Sequence, residues 1–285
     1  MKLVETLLCF QILLVFNCLF VNGDRRLVYH LNVSYAQNSS SIVLINNQMP
    51  GPLIEAELND ILVIHVRNNL PANERFVIHF HGLHFRQTPQ MDGVAYVTQM
   101  PIESQHEFTY TFRAYPAGSH FYHSHSGLQS VTAFGGIIVH NHRKRPWNAS
   151  EISTGPLFFS DLWVKPDRHA QEHNLLASPF IWQGEPHHLL INGQRDFVLS
   201  VDPNKTYLLR LIGATTLSTI VFGIDDHLMT VVEVDGTLIR PINVTSIELS
   251  SGQRYAVLLH TKPQVNRIYL MQISIRWRTI VNGSK

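Results

Sequence analysis

Two short segments, His79-Phe80-His81-Gly82 and His123-Ser124-His125, each carry a pair of histidines separated by one residue. In an extended strand, residues i and i+2 point to the same face. Each segment therefore offers two imidazoles side by side. Gly82 ends the first pair and leaves room for another group to approach the backbone. Gly127 closes the second run. Neutral imidazole ligates borderline metals well, and four such rings from neighbouring strands make a nitrogen-rich site for Cu, Zn, Fe or Ni. A single histidine is ordinarily a surface or core residue, but two pairs of one spacing call for a shared cause.

His84 and His120 fall outside the in-phase pairs and are assigned supporting roles beside the ligands. His106, His140, His142, His169, His173, His187, His188, His227 and His260 have no pair geometry and are read as solvent or loop histidines. Other folds also use His-X-His. A cupin places a Glu shortly after its pair, where this chain has Phe85 and Arg86. A copper–zinc dismutase needs a further His/Asp metal loop, and none is found. Asp92-Gly93 reads by residue type as a turn.

The elements that must hold these histidines are predicted strands. Runs rich in Val, Ile, Phe, Tyr and Thr recur between Gly, Pro and Asn punctuation. In the first half they include Ser41–Ile45, Ile61–Val66, Phe76–Phe80, Glu107–Phe112, His120–His123 and Gly136–Val139. A basic, polar joint over Asn141–Asn148 follows. The same texture then returns at Leu157–Ser160, Leu189–Ile191, Tyr207–Ile212, Met229–Val234, Tyr255–Leu259 and Tyr269–Ile275. Many short strands at this spacing predict an all-β chain of two β-sandwiches, over 24–145 and 150–285. Pro166–Glu185 is polar and fits a loop or a short helix.

Composition supports a real core and narrows the partners. The chain has 285 residues, enough for about two ordinary domains. Hydrophobic residues are 45%, so disorder is not expected. The net charge of +1 and the lack of a basic run give no reason to expect a nucleic-acid partner.

The first residues predict a secretory leader over 1–23, with Lys2 as its charge and an apolar run from Leu7 to Val21. That run falls short of the ~20 residues a spanning helix needs, so no membrane anchor is expected after cleavage. The only cysteines, Cys9 and Cys18, lie inside it. The mature chain is thus expected to hold no disulfide and to offer no thiolate to a metal. Sequons at Asn32, Asn38, Asn148, Asn204, Asn243 and Asn282 fit a secreted, extracellular glycoprotein.

At this point the chain resembles the multicopper oxidases, and their laccase-like branch in particular. The first half carries Met49-Pro-Gly-Pro52, His79-Phe-His-Gly82, Met91-Asp-Gly-Val94, Thr98-Gln-Met-Pro-Ile102 and Ala117-Gly-Ser-His-Phe-Tyr-His-Ser-His-Ser-Gly127. The second half is similar to the middle domain of those enzymes, through Leu190-Ile-Asn-Gly193, Leu208-Leu-Arg-Leu-Ile212, Val234-Asp-Gly236 and Ser251-Gly-Gln-Arg-Tyr255. These second-half motifs are read as mostly structural. The resemblance implies tandem cupredoxin-like Greek-key β-sandwiches and a trinuclear copper cluster. By it, His79 would hold type 2 copper, while His81, His123 and His125 would hold the type 3 pair. Asp92 matches the Asp that handles protons for oxygen reduction.

The same resemblance marks what this sequence lacks. The family's last domain supplies the other half of the cluster and a His-Cys-His segment whose Cys binds the type 1 copper. Neither is found here, so a third domain is expected to be absent and the chain to be truncated and inactive alone. The complete enzyme would couple one-electron oxidation of phenols, aromatic amines or metal ions to four-electron reduction of O2 to water. The alternative is a secreted copper-binding protein without catalysis.

Overall fold

The computed structural model describes residues 25–141, 147–151, 155–164, 167–264 and 267–276. The expected leader with Cys9 and Cys18, the centre of the basic joint with His142, and the sequon at Asn282 lie outside the described residues.

The first sandwich is built from β1 (Arg26–Tyr35), β2 (Val43–Ile45), β3 (Gly51–Glu57), β4 (Ile61–Asn68), β5 (Ile78–His81), β6 (Glu107–Arg113), β7 (Gly118–Ser124) and β8 (Phe134–His140). One sheet runs β2-β1-β4-β6 and the facing sheet β3-β8-β7-β5. β1 pairs with β4, and β3 with β8, in parallel, so chain crossovers rather than hairpins join them. Residue alternation drives the packing. In β5, Ile78 and Phe80 are fully buried while His79 and His81 face the other side. Phe80 packs among Tyr110, Phe112 and Tyr122 in the core. Burying a side chain of that size contributes about 1.5–3 kcal/mol, which fixes the register and with it the face the histidines occupy.

The second sandwich comprises β9 (Ser150–Glu151), β10 (Leu157–Leu162), β11 (His188–Ile191), β12 (Thr206–Gly213), β13 (Ile220–Ile224), β14 (Met229–Val234), β15 (Thr237–Val244), β16 (Ser246–Leu249), β17 (Arg254–His260) and β18 (Met271–Ile275). Its larger sheet runs β11-β10-β12-β17-β14-β15, with β9 on β12, and its smaller sheet runs β16-β13-β18. A bulge in β14 between Val231 and Glu233 turns the Glu233 carboxylate toward the first sandwich. There it accepts the Ser119 backbone N–H at 3.2 Å.

Helix α1 (Arg168–Leu176) falls within the segment expected as loop or short helix. Asp167 caps it by accepting the Ala170 N–H at 2.9 Å. Its buried residue Arg168 donates to Glu74 Oε1 at 2.6 Å, to Tyr35 Oη at 3.0 Å and to Glu172 Oε1 at 2.9 Å. Glu172 in turn accepts the Leu128 N–H at 2.7 Å, so the helix is pinned to the turn that follows His125. Apolar contact joins the sandwiches directly. Phe121 and Phe134 of the first meet Phe158, Ile212 and Ala214 of the second in one buried cluster.

Candidate metal centre

β5 and β7 are antiparallel neighbours, and their register places His79 directly opposite His123. The two rings meet edge-on at 5.3 Å between centroids. His81 stands 5.4 Å from His79 and 5.9 Å from His123. One nitrogen from each of His79, His81 and His123 lies within 4.8 Å of the others. His125 falls outside that group. It is exposed, at 5.7 Å from His79 and 6.0 Å from His123. Its own backbone N–H is held by Val77 O at 2.9 Å.

Hydrogen bonds choose the tautomers. His79 Nδ1–H donates to the Asp92 backbone carbonyl at 2.7 Å. His123 Nδ1–H donates to the Ser124 carbonyl at 2.8 Å. A carbonyl only accepts, so Nδ1 carries the proton in both rings and Nε2 keeps its lone pair. Asp92 thus contributes its main chain first, and its carboxylate oxygen Oδ1 stands 3.3 Å from the same His79 nitrogen. Gly93, the next residue, has φ of +80°, so the Asp-Gly turn expected there is what delivers the carbonyl.

Burial keeps these rings neutral. It pushes the His81 pKa down to about 3, with the nearby Arg254 cation adding to the effect. It holds His123 at about 4. His79 is also lowered by burial, against an opposing pull from Asp92. Neutral imidazole is the ligating form, so the rings do not have to shed a proton to take a metal. A pair of nitrogens on one ion, with bonds of ~2.0–2.1 Å, lies about 3–4 Å apart. The 4.8 Å span is wider than that, as nitrogens shared between neighbouring ions would be, and an all-nitrogen donor set without thiolate fits copper.

The second sandwich closes over this site. Arg254, whose side chain is 5% exposed, donates from Nε to the Ser119 carbonyl at 2.9 Å and from Nη1 to the Gly252 carbonyl at 2.8 Å. Its Nη2 lies 2.5 Å from the point where a Cβ on Gly82 would stand, and His120 Nδ1 lies 2.8 Å from it. The approach that Gly82 permits is therefore made by these two side chains. His120 is fully buried, donates from Nε2 to Pro116 O at 2.9 Å, and has no partner at Nδ1. Burial and the Arg254 charge lower its pKa to about 3. His84, by contrast, is exposed and sits edge-on to Tyr115 at 5.4 Å.

Two features escaped the sequence reading. Arg254 sits in a motif read as structural, and only the docking of the two sandwiches brings it to His81. His30 and His65 stack at 4.8 Å because β1 and β4 pair them in register, and no spacing rule links residues so far apart. Below the His-Ser-His segment, Ser124 Oγ donates to Gln129 Oε1 at 2.9 Å, and Gln129 Nε2 donates to Arg75 O at 2.9 Å and to Glu74 Oε2 at 3.3 Å. The base of β7 is thereby tied to the Arg168 network.

Profiles of the multicopper oxidase family match residues 28–144 and 154–284. The chain is 40% identical to multicopper oxidase aurL2 of Gibberella zeae over 79% of its length and 39% of that protein's. It is 34% identical to L-ascorbate oxidase of Brassica rapa subsp. pekinensis, covering 83% of this chain and 46% of the relative. The fold superposes with a TM-score of 0.81 and 26% identity on Fet3p, a multicopper oxidase that functions in iron import, over 88% of this chain and 49% of the other. The chain thus spans less than half the length of each. Two adjacent cupredoxin-like sandwiches, a three-imidazole centre on the first and family matches to both halves agree: the chain belongs to the multicopper oxidase family.

Proposed function

We propose that this chain is the copper-holding portion of a secreted, laccase-type oxidase that oxidises phenols, aromatic amines or metal ions one electron at a time and reduces O2 to water. The observation that carries the reading is the cluster of His79, His81 and His123, three neutral imidazoles converging from adjacent strands. We assign His79 to type 2 copper, and His81, His123 and His125 to the type 3 pair. Bound copper supplies the electron-transfer chemistry. The chain's own residues orient and shelter it: Asp92 O and Ser124 O fix two tautomers, and Phe121 stacks on His123 at 5.0 Å and packs tilted against His81 at 4.9 Å, excluding water from one side. Asp92, with Oδ1 at 3.3 Å from His79 Nδ1, is the carboxylate assigned to hold a proton for delivery to reduced oxygen.

Secretion and glycosylation belong to the same proposal. Asn32, Asn38, Asn148, Asn204 and Asn243 are all exposed, as glycan acceptors must be. Expression in a eukaryotic host should place the protein in the medium, with a mass that falls on enzymatic deglycosylation.

Copper titration of the purified chain, with metal analysis, tests the site. Tight copper uptake that His79→Ala and His123→Ala each strongly weaken is expected, and His260→Ala should leave it intact. Copper binding unchanged in both site variants would overturn the assignment. The exposure of His125 at the rim of the centre favours a second reading, a secreted copper-binding protein without catalysis. Phenol-dependent oxygen uptake by the copper-loaded protein separates the two: turnover supports the oxidase, and full copper occupancy without turnover supports the binder.

A further inference from the structure

The turn Ser251–Arg254 joins β16 to β17 in the second sandwich, yet its apex lies on a histidine of the first. Gly252 has φ of +81°, a left-handed conformation that favours glycine. Its N–H is held by Gly213 O at 2.9 Å, which fixes the turn on its own sandwich. A Cβ added to Gly252 would stand 2.6 Å from His81 Cε1 and 2.9 Å from His81 Nε2. Backbone, not a flexible side chain, therefore forms the floor against which the His81 ring rests.

Arg254 locks that floor in place. A buried guanidinium is unfavourable unless its donors are met. Here they are met by carbonyls from both sides of the interface: Gly252 O in the turn and Ser119 O in β7, the strand that also carries His123. Asp235 Oδ1 at 3.5 Å supplies the counter-charge. The same guanidinium fills the space left by Gly82, the residue directly after His81. The His81 segment is thus bounded by Gly252 at its ring and by Arg254 at its backbone. His79 and His123, by contrast, are anchored through Nδ1 to carbonyls of the first sandwich, and His81 has no ring hydrogen bond among the described residues.

We propose that the Ser251–Arg254 turn is a positioning element for His81, with Gly252 setting where the ring can lie and Arg254 holding the turn against the strand end that bears it. The proposal rests on reading His81 as a copper ligand. It makes the second sandwich a working part of the metal centre, although none of its described residues joins the ligand cluster.

The experiment compares Gly252→Ala, Arg254→Gln and Arg254→Lys with Arg210→Gln, all in the full chain. Arg210 also bridges the sandwiches, donating to Ser119 Oγ at 2.7 Å, and so controls for loosened docking. The first readout is the ring 15N and 1H resonances of His81 in the metal-free protein. The second is copper affinity by chelator competition, with the hyperfine coupling of bound Cu(II). Gly252→Ala and Arg254→Gln should move the His81 ring resonances, shift those of its edge-on neighbour His79 distinctly less, and weaken copper binding by roughly tenfold or more. Arg254→Lys, which cannot serve two carbonyls in fixed geometry, should fall between wild type and Arg254→Gln. Arg210→Gln should shift neither readout. Unmoved His81 resonances in the Arg254 variants, or equal shifts in Arg210→Gln, would falsify the proposal. If Gly252→Ala does not fold, the two Arg254 variants decide alone. Wild-type protein that binds no copper, with His81 still displaced in the variants, would refute the copper reading and leave the positioning role standing.

Discussion

His79 and His81 both lie inside β5, whereas His123 lies in β7 and His125 stands one residue beyond that strand's end at Ser124. The first pair enters the metal centre whole. The second divides, with His123 opposite His79 and His125 exposed at the rim. The anchoring differs too. The segment bearing His81 is held from the second sandwich, by Arg254 and Gly252. The base of the second pair is held from below, through Ser124, Gln129, Glu74 and Arg168. A period-2 motif fixes a common face only while the chain remains extended, and the place where a strand stops decides which members of the motif can act together.

The largest expected effect lies in the support of the second pair. Arg168→Met leaves the Glu74 and Glu172 carboxylates without their buried cation, and breaking such a network costs about 3–5 kcal/mol. Urea unfolding should show that loss, and a change below 1 kcal/mol would mean the network does not anchor helix α1.

Next come the ligands themselves. A tetrahedral zinc site gains about 10–16 kcal/mol in all, or roughly 3 kcal/mol per ligand, so His123→Ala should weaken copper binding about a hundredfold. His125→Ala, which removes a ring outside the close group, should cost distinctly less. Equal losses measured by competition titration would erase the difference drawn between the two positions.

Ser124→Ala removes the hydroxyl that donates to Gln129 and leaves a buried acceptor short of a partner. A stability loss of about 1 kcal/mol is expected. His81 ring resonances should not move, because that ring is supported from the other sandwich.

The smallest effect is acid sensitivity. Burial pushes the Glu74 carboxyl up, but hydrogen bonds from Tyr35 and Arg168 and the Arg168 charge outweigh it and hold the carboxyl below its ordinary value of 4.5. A depressed folded pKa adds stability that is present above the unfolded value and is lost as pH falls through the folded one. Thermal midpoints should therefore drop below about pH 4.5, and Glu74→Gln should flatten that part of the profile.

Much of this was legible from residue order. The strands around both histidine pairs were predicted nearly at their observed bounds, since alternating burial and Gly or Pro punctuation mark strands locally. β1 and β3 were less visible: Pro52 interrupts β3, and β1 is largely exposed along one face. Helix α1 was narrowed only to a polar stretch, because its stability comes from a distant partner, Glu74, rather than from an apolar stripe.

The sequence by itself determined the nitrogen-rich donor set, the sandwich architecture and the family. Each of these is written in spacing and side-chain type over a few neighbouring residues. The tertiary structure alone decided that His79 faces His123 across a ladder, that His125 stays outside, and that Arg254 from the second sandwich closes on His81. Those facts depend on strand register and domain docking, which join residues far apart in the chain through the summed burial of many side chains.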